Sequence, residues 1–126
     1  MKRELVELEF FFKASLSMVF EYVSSEEGLI RWFCDEIMVR DEIYEFYWND
    51  SSERARIVEF DDEKRIVFRW EDADDPEEYL KFEVYKSPVT NETIFKVSEF
   101  CDSDEVEDTI ELWESQVGEL MKLLGS

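Results

Sequence analysis

One carboxylate stands where the pattern of the chain calls for an apolar side chain. In the run Thr93-Ile94-Phe95-Lys96-Val97-Ser98-Glu99-Phe100-Cys101, the alternate residues Thr93, Phe95, Val97, Glu99 and Cys101 fall on one side. Strand side chains alternate with a period of two, so Glu99 is aimed at the interior. A carboxylate there must be paired, hydrogen-bonded or protonated. Arg40 and Arg69 are two cations that could pair with it, and the pattern does not choose between them. A second reading ends or bulges the strand before Glu99 and leaves it in water. Pointing inward, Glu99 is a polar anchor or an acid in a cavity. The other chemical resource is a set of rings: Phe33, Phe46, Trp48, Phe68, Trp70 and Trp113, with Trp32 beside Phe33 and Val117 one helical turn beyond Trp113. Rings of this kind fill a core and need no further explanation. As a cavity lining, they make an apolar wall with indole N–H groups as polar handles.

What is missing narrows the chemistry. Histidine is absent, which removes the usual forms of Ser-His-Asp and Cys-His catalysis and the commonest metal ligand. Cys34 and Cys101 are isolated thiols; without histidine they make no zinc site, and they read as small core residues. Gly28, Gly118 and Gly125 cannot form a phosphate-binding loop. Acidic clusters occur at Asp61-Asp62-Glu63, around Asp72 and Asp74-Asp75, and at Asp102 with Asp104-Glu105. None has the spacing of a calcium loop, and solvated acidic loops account for them. No cofactor, metal or catalytic residue is assigned.

The chain has 126 residues, 34 acidic and 14 basic, with a formal charge of −20. Its length predicts a single domain over residues 1–126. The apolar fraction of 44% suffices for one core, and 11 Phe make much of it ring surface. Nucleic acid and anionic membrane need positive charge and are excluded as partners. No signal peptide opens the sequence and no membrane span interrupts it, so a cytoplasmic location is expected.

These residues need elements to place them. Val106, Ile110, Trp113, Val117, Leu120 and Leu124 recur at steps of three and four, the stripe of an amphipathic helix. Ser103 is the expected N-cap and Gly125 the expected stop. Before it come strands. Val6, Leu8, Phe10 and Phe12 share a face, with Leu5 and Phe11 on the other as exposed groups or a second contact surface. Ser15 predicts a short helix with Leu16, Val19, Phe20 and Val23; Ser24 with Glu27 predicts a capping box for a second, which Gly28 keeps short or bent. Further strands are expected over 36–40, 44–48, 54–60, 65–71, 79–86 and 92–101, joined by connections short enough for antiparallel pairing. The fold class is α+β: a sheet of about six to seven strands around a long C-terminal helix.

That order, and certain stretches within it, resemble the START-like (SRPBCC, helix-grip) superfamily. The branch is similar to activators of the heat-shock chaperone ATPase. Ser24-Ser25-Glu26-Glu27-Gly28-Leu29-Ile30-Arg31-Trp32-Phe33 resembles that branch's helix ending in Trp-Phe. Ala55-Arg56-Ile57-Val58-Glu59-Phe60 and Arg65-Ile66-Val67-Phe68-Arg69-Trp70 are similar to its paired central strands. Thr93 to Phe100 fits its last strand, and Leu112-Trp113 its closing helix. The resemblance implies a curved antiparallel sheet gripping the helix, with a cavity between them that holds lipids, hormones or polyketides in different members. It therefore implies non-catalytic binding of a small apolar or amphipathic ligand. Phe33, Phe46, Trp48, Phe68, Trp70, Glu99, Trp113 and Val117 are the expected lining. Two alternatives stand beside it. One is a cyclase- or aromatase-like enzyme using Glu99 or a tyrosine such as Tyr47. The other is an interaction module, as a homodimer or in contact with a chaperone.

A charge of −20 implies self-repulsion that salt screens. The melting temperature near neutral pH is expected to rise with salt. A flat or falling trend in a thermal scan would show that attractive ion pairs outweigh the repulsion.

Overall fold

The computed structural model describes residues 2–125. Strand β1 (Arg3–Phe12) leads into helices α1 (Leu16–Ser24) and α2 (Glu26–Leu29). Six strands follow: β2 (Glu36–Arg40), β3 (Ile43–Trp48), β4 (Ser51–Asp61), β5 (Arg65–Trp70), β6 (Leu80–Lys86) and β7 (Thr93–Asp102). A 3₁₀ turn over Ser103–Glu105 leads into helix α3 (Val106–Leu124). The strands form one antiparallel sheet in the order β1-β7-β6-β5-β4-β3-β2. This is the α+β arrangement expected from the sequence.

The sheet's inner face carries the core. Phe46, Phe68, Phe82 and Phe95 are fully buried on four different strands, and Trp113, Val117 and Leu120 of α3 are buried among them. Val106, Ile110 and Leu124 of the same stripe are half-buried. α1 packs against β6 and β7 through its buried Val19, Phe20 and Val23. That half of the inner face is filled. Cys34 and Cys101 are buried and unbridged. Burial pushes the Cys34 thiol up to about 12, so it is an inert core thiol.

The outer face is polar and laced with ion pairs. Lys96 meets Glu7 at 3.0 Å, Arg65 lies within 3.6 Å of Glu59, Asp61 and Glu83, and Tyr85 donates to Glu9. Leu5 and Phe11 are exposed on this face, but Glu7 and Glu9 lie between them on the same side of β1, so they form no continuous patch. Val58 is left unpaired where the β4–β5 register shifts between Ile57 and Glu59. A bulge of this kind bends its strand.

Two helix starts differ from the expected ones. The cap of α2 is Ser25, whose Oγ accepts the Gly28 N–H at 3.0 Å. Ser24 ends α1, and its hydroxyl donates back to the Phe20 carbonyl at 2.6 Å. Ser103 does not cap α3: it opens the 3₁₀ turn, and its N–H donates to the Lys2 carbonyl at 2.8 Å. The β1–β7 ladder thus holds Ser103, and a tight turn is needed before the helix can begin. Ser15 caps α1 as expected, accepting the Met18 N–H. Gly125 ends α3 at a φ of 74°.

Gly28 has a packing reason beyond its low helix propensity. A Cβ there would lie 2.5 Å from Tyr22 Cα and 2.6 Å from the Glu21 carbonyl oxygen. Only a bare Cα lets α2 cross α1 this closely. Gly28→Ala is expected to cost about 2–3 kcal/mol, measured by chemical denaturation. A loss within error would mean that the two helices part at no cost.

Candidate functional site

Phe33 follows α2, and its neighbours converge on it. Its ring stacks on Trp113 of α3 at 5.9 Å with an interplanar angle of 8°, and meets Trp48 of β3 edge-on at 5.5 Å. Its carbonyl accepts from Trp48 Nε1 at 2.7 Å and from Gln116 Nε2 at 3.3 Å. Beside this cluster, an open cleft of about 330 Å³ is lined by Phe33, Trp48, Ser51, Glu53, Trp70, Glu99, Leu112, Trp113 and Gln116. It lies between the first half of α3 and the inner face of the sheet.

Glu99 does point inward. It is half-buried on β7, opposite the fully buried Leu80 on one side and the buried Val6 on the other. One carboxylate oxygen, Oε1, accepts the Trp113 indole N–H at 2.9 Å. Neither Arg40 nor Arg69 pairs with it among the described residues. Both stand on the outer face, Arg69 exposed and Arg40 in a separate surface concavity of about 420 Å³ with Met38, Glu45 and Tyr47. Burial raises the Glu99 carboxyl above its ordinary value; the Trp113 hydrogen bond opposes this, and the nearby Glu53 charge adds to it. Glu53 is also raised, by burial and then by Asp72.

A smaller recess of about 200 Å³ adjoins the cleft and shares Glu53, Trp70 and Glu99 with it. Its other walls include Arg3, Asp72, Asp74 and Glu78. Arg3 is already engaged: Nε and Nη2 donate to Glu78 at 3.0 and 2.6 Å, and Nη1 to Asp102 at 2.8 Å. The carboxylate atoms of Asp102, Asp104 and Glu105 lie within 4.8 Å of one another. They are part-exposed or exposed groups at the head of α3, and Asp102 is held by Arg3.

Of the eight residues expected to line a cavity, Phe33, Trp48, Trp70, Glu99 and Trp113 meet at this cleft. Phe46, Phe68 and Val117 lie deeper, fully buried in the core. The indole N–H groups expected as ligand handles are mostly engaged. Trp113 donates to Glu99, Trp48 to Phe33, and Trp32 to the Tyr22 carbonyl. Ser51, Glu53, Leu112 and Gln116 were not among the residues expected to line a cavity. Glu53 shares the inward side of β4 with Ala55 by alternation. Leu112 and Gln116 flank Trp113 along α3.

The family model of the START-like superfamily domain matches residues 1–126. The chain belongs to the START-like superfamily. The resemblance drawn from the Trp-Phe helix, the paired central strands and the closing helix is therefore borne out. Among solved structures, this START-like chain is similar to a Bacteroides fragilis protein determined by NMR. The two are 28% identical, with a TM-score of 0.67 over 98% of this chain and 92% of that one. It is similar to the Aha1 dimer from Colwellia psychrerythraea at 15% identity and a TM-score of 0.78, over 96% of each chain. DynU16, from the dynemicin biosynthetic locus, is 19% identical with a TM-score of 0.80, over 97% of this chain and 47% of that one. The last two likenesses show fold alone. No curated protein matches the chain. Among the described residues, no helix is long and apolar enough to cross a membrane.

The raised Glu99 carboxyl has a stability consequence. The folded state holds this proton more tightly than the unfolded chain does, so protonated Glu99 favours folding. Its contribution is fully present below the ordinary value of 4.5 and is lost as pH rises through the higher folded value. At pH 7 the ionised group is a cost, whereas a glutamine can still accept from Trp113. Glu99→Gln is expected to raise the melting temperature at pH 7, with the advantage closing as pH falls toward 4.5. An equal shift at both ends of that range would show that Glu99 does not titrate abnormally.

Proposed function

We propose that the chain binds a small apolar or amphipathic molecule in the cleft between α3 and the sheet, without converting it. The observation that carries this reading is the cleft itself: four aromatic side chains around an inward-pointing carboxylate, with a volume of about 330 Å³. Ligand sites are mostly apolar concavities with a few placed polar groups, and this volume lies at the lower end of their usual range. The rest of the interior supports a site at the mouth rather than at the centre, because the rings behind it pack on one another. Phe82 meets Phe33, Trp32, Phe95, Phe68 and Trp113 at 5.4–6.0 Å. An occupant would place its apolar body along Trp48, Trp70 and Leu112 and its polar end toward Glu99.

The enzyme reading keeps one supporting observation. Glu99 is a desolvated acid at the edge of an aromatic cleft, which is the environment that tunes a carboxyl for proton transfer. Tyr47 does not support it, since it lies on the outer face beside Glu45 and Arg54.

Native mass spectrometry of gently purified protein is expected to show a co-purifying small molecule. Titration with a panel of fatty acids, sterols and aromatic polyketides is expected to give a saturable change in tryptophan fluorescence for at least one class, with the ligand recovered intact. Trp70 is half-buried, so Trp70→Ala should stay folded. Loss of one aromatic contact of about 1–1.5 kcal/mol should weaken binding roughly tenfold. Conversion of a ligand, abolished in folded Glu99→Gln, would establish the enzyme instead. No binding across the panel would sink both readings.

A further inference from the structure

We infer that the polar end of the ligand is a protonated amine. The inference rests on the cleft's being a ligand site, and it comes from counting which polar atoms there remain free. The donors are largely spent. The Trp113 and Trp48 indole N–H groups serve Glu99 and the Phe33 carbonyl, and the Gln116 amide also donates to Phe33. The Trp70 indole lies against Glu99 and helps stabilise its charge. Among the described lining side chains, the donors left over are the Ser51 hydroxyl and the second N–H of the Gln116 amide.

The acceptors are not spent. Glu99 accepts from Trp113 at Oε1 and also takes the Trp70 indole, but a carboxylate has about four lone-pair sites and so keeps acceptor capacity. The Glu53 carboxylate makes no side-chain hydrogen bond or ion pair among the described residues, and the Gln116 carbonyl oxygen is likewise unengaged. A group entering here meets carboxylate oxygens and ring surface, so it must bring donors and positive charge. An ammonium supplies both. Its N–H bonds to carboxylates are charge-assisted, and aromatic rings attract cations.

The surroundings act in the same direction. The adjoining recess adds Asp72, Asp74 and Glu78. Its one cation, Arg3, is held by Glu78 and Asp102 and is not free to receive an anion. No other Lys or Arg lines either hollow. The carboxylate of a fatty acid would therefore face Glu53 and Glu99 with nothing to balance it.

Three probes of one chain length separate the charge from the tail: octylammonium, 1-octanol and octanoate, titrated at neutral pH and moderate salt. Binding is read by calorimetry and tryptophan fluorescence. Octylammonium is expected to bind roughly tenfold tighter than octanol, the worth of one charge-assisted contact in a part-exposed site, with octanoate the weakest. Glu53→Gln, an exposed change that leaves the fold intact, should remove most of the preference for the amine, and Glu53→Gln with Glu99→Gln should abolish it. Glu63→Gln, in the β4–β5 turn at the far end of those strands, should leave it unchanged. Octanol or octanoate binding as tightly as the amine would overturn the inference while leaving the cleft a ligand site. An equal loss in Glu63→Gln would overturn it by tracing the preference to overall charge. Absence of binding by all three would overturn both the inference and the reading it rests on.

Discussion

The site depends on how one residue between α2 and β2 is held. Phe33 has no regular element of its own, yet its peptide and its ring join three others. Its carbonyl takes hydrogen bonds from Trp48 of β3 and Gln116 of α3, while its ring lies flat on Trp113 and edge-on to Trp48. A buried carbonyl without these donors would carry a desolvation cost of about 1–3 kcal/mol. The same two donors fix the distance between the sheet and the helix at the mouth of the cleft. That distance leaves room beside the rings. The backbone upstream is fixed as well: the Phe33 N–H donates to the Leu29 carbonyl at 2.8 Å, and Leu29 is fully buried. The close crossing at Gly28 therefore sets the height of one wall of the cleft.

The inner face of the sheet is covered unequally. α1 lies over β6 and β7 and fills one half with aliphatic and aromatic side chains. The ends of β3, β4 and β5 have less cover: α3 packs mainly against β1 and β7, and the side chains of Phe33, Leu112, Trp113 and Gln116 border those ends. The cleft opens there. Trp48 and Trp70 are half-buried there, whereas Phe46 and Phe68, two residues earlier on the same strands, are fully buried. Two residues along a strand is about 7 Å, which is the distance from closed core to open cleft on both strands.

Much of this was legible in the sequence, for reasons that name its limits. Trp113 and Val117 were placed by a period of 3.6; a period of two aimed Glu99 inward but left open whether the strand lasted that far, and β7 runs on to Asp102. Those signals are local and carry over to the folded chain unchanged. The choice between Ser24 and Ser25 as the cap of α2 was not local. It is settled by the Ser24 hydroxyl turning back to Phe20 and by the contact of Gly28 with Tyr22. The start of α3 depended on Lys2, about a hundred residues away, which holds the N–H of Ser103. Glu53 was missed because the turn before β4 is shorter than its Asn49-Asp50-Ser51-Ser52 composition suggests. Ser51 and Ser52 already pair with Trp48 and Tyr47, so the alternation that aims Glu53 inward begins earlier. The partners of the indole N–H groups could not be read at all, since two of them are backbone carbonyls, a group every residue carries.

The charge of −20 is unevenly distributed, and the fold explains how. Arg65, Lys81 and Lys96 sit on the outer face of the sheet, each within 4 Å of an acid on the same or a neighbouring strand. Arg65 stands directly across from Glu83, Lys96 reaches Glu7 diagonally and Lys81 pairs with Glu83 along its own strand, so the outer face is nearly self-neutralising. The cleft side has no such arrangement. The loop from 71 to 78 holds six acidic residues and no base, and α3 has Lys122, in its last turn, as its one base. The acids in the first turn of α3 suit the positive end of its dipole, but that favours acid at the very end of the helix that borders the cleft. The imbalance that sequence composition presents as a uniform property is thus a face. Pairing neutralises the outside of the sheet, the helix dipole tolerates acid at its start, and what remains uncompensated gathers around Glu53 and Glu99. There desolvation raises both carboxyls and makes a neutralising partner worth more than it would be on the open surface.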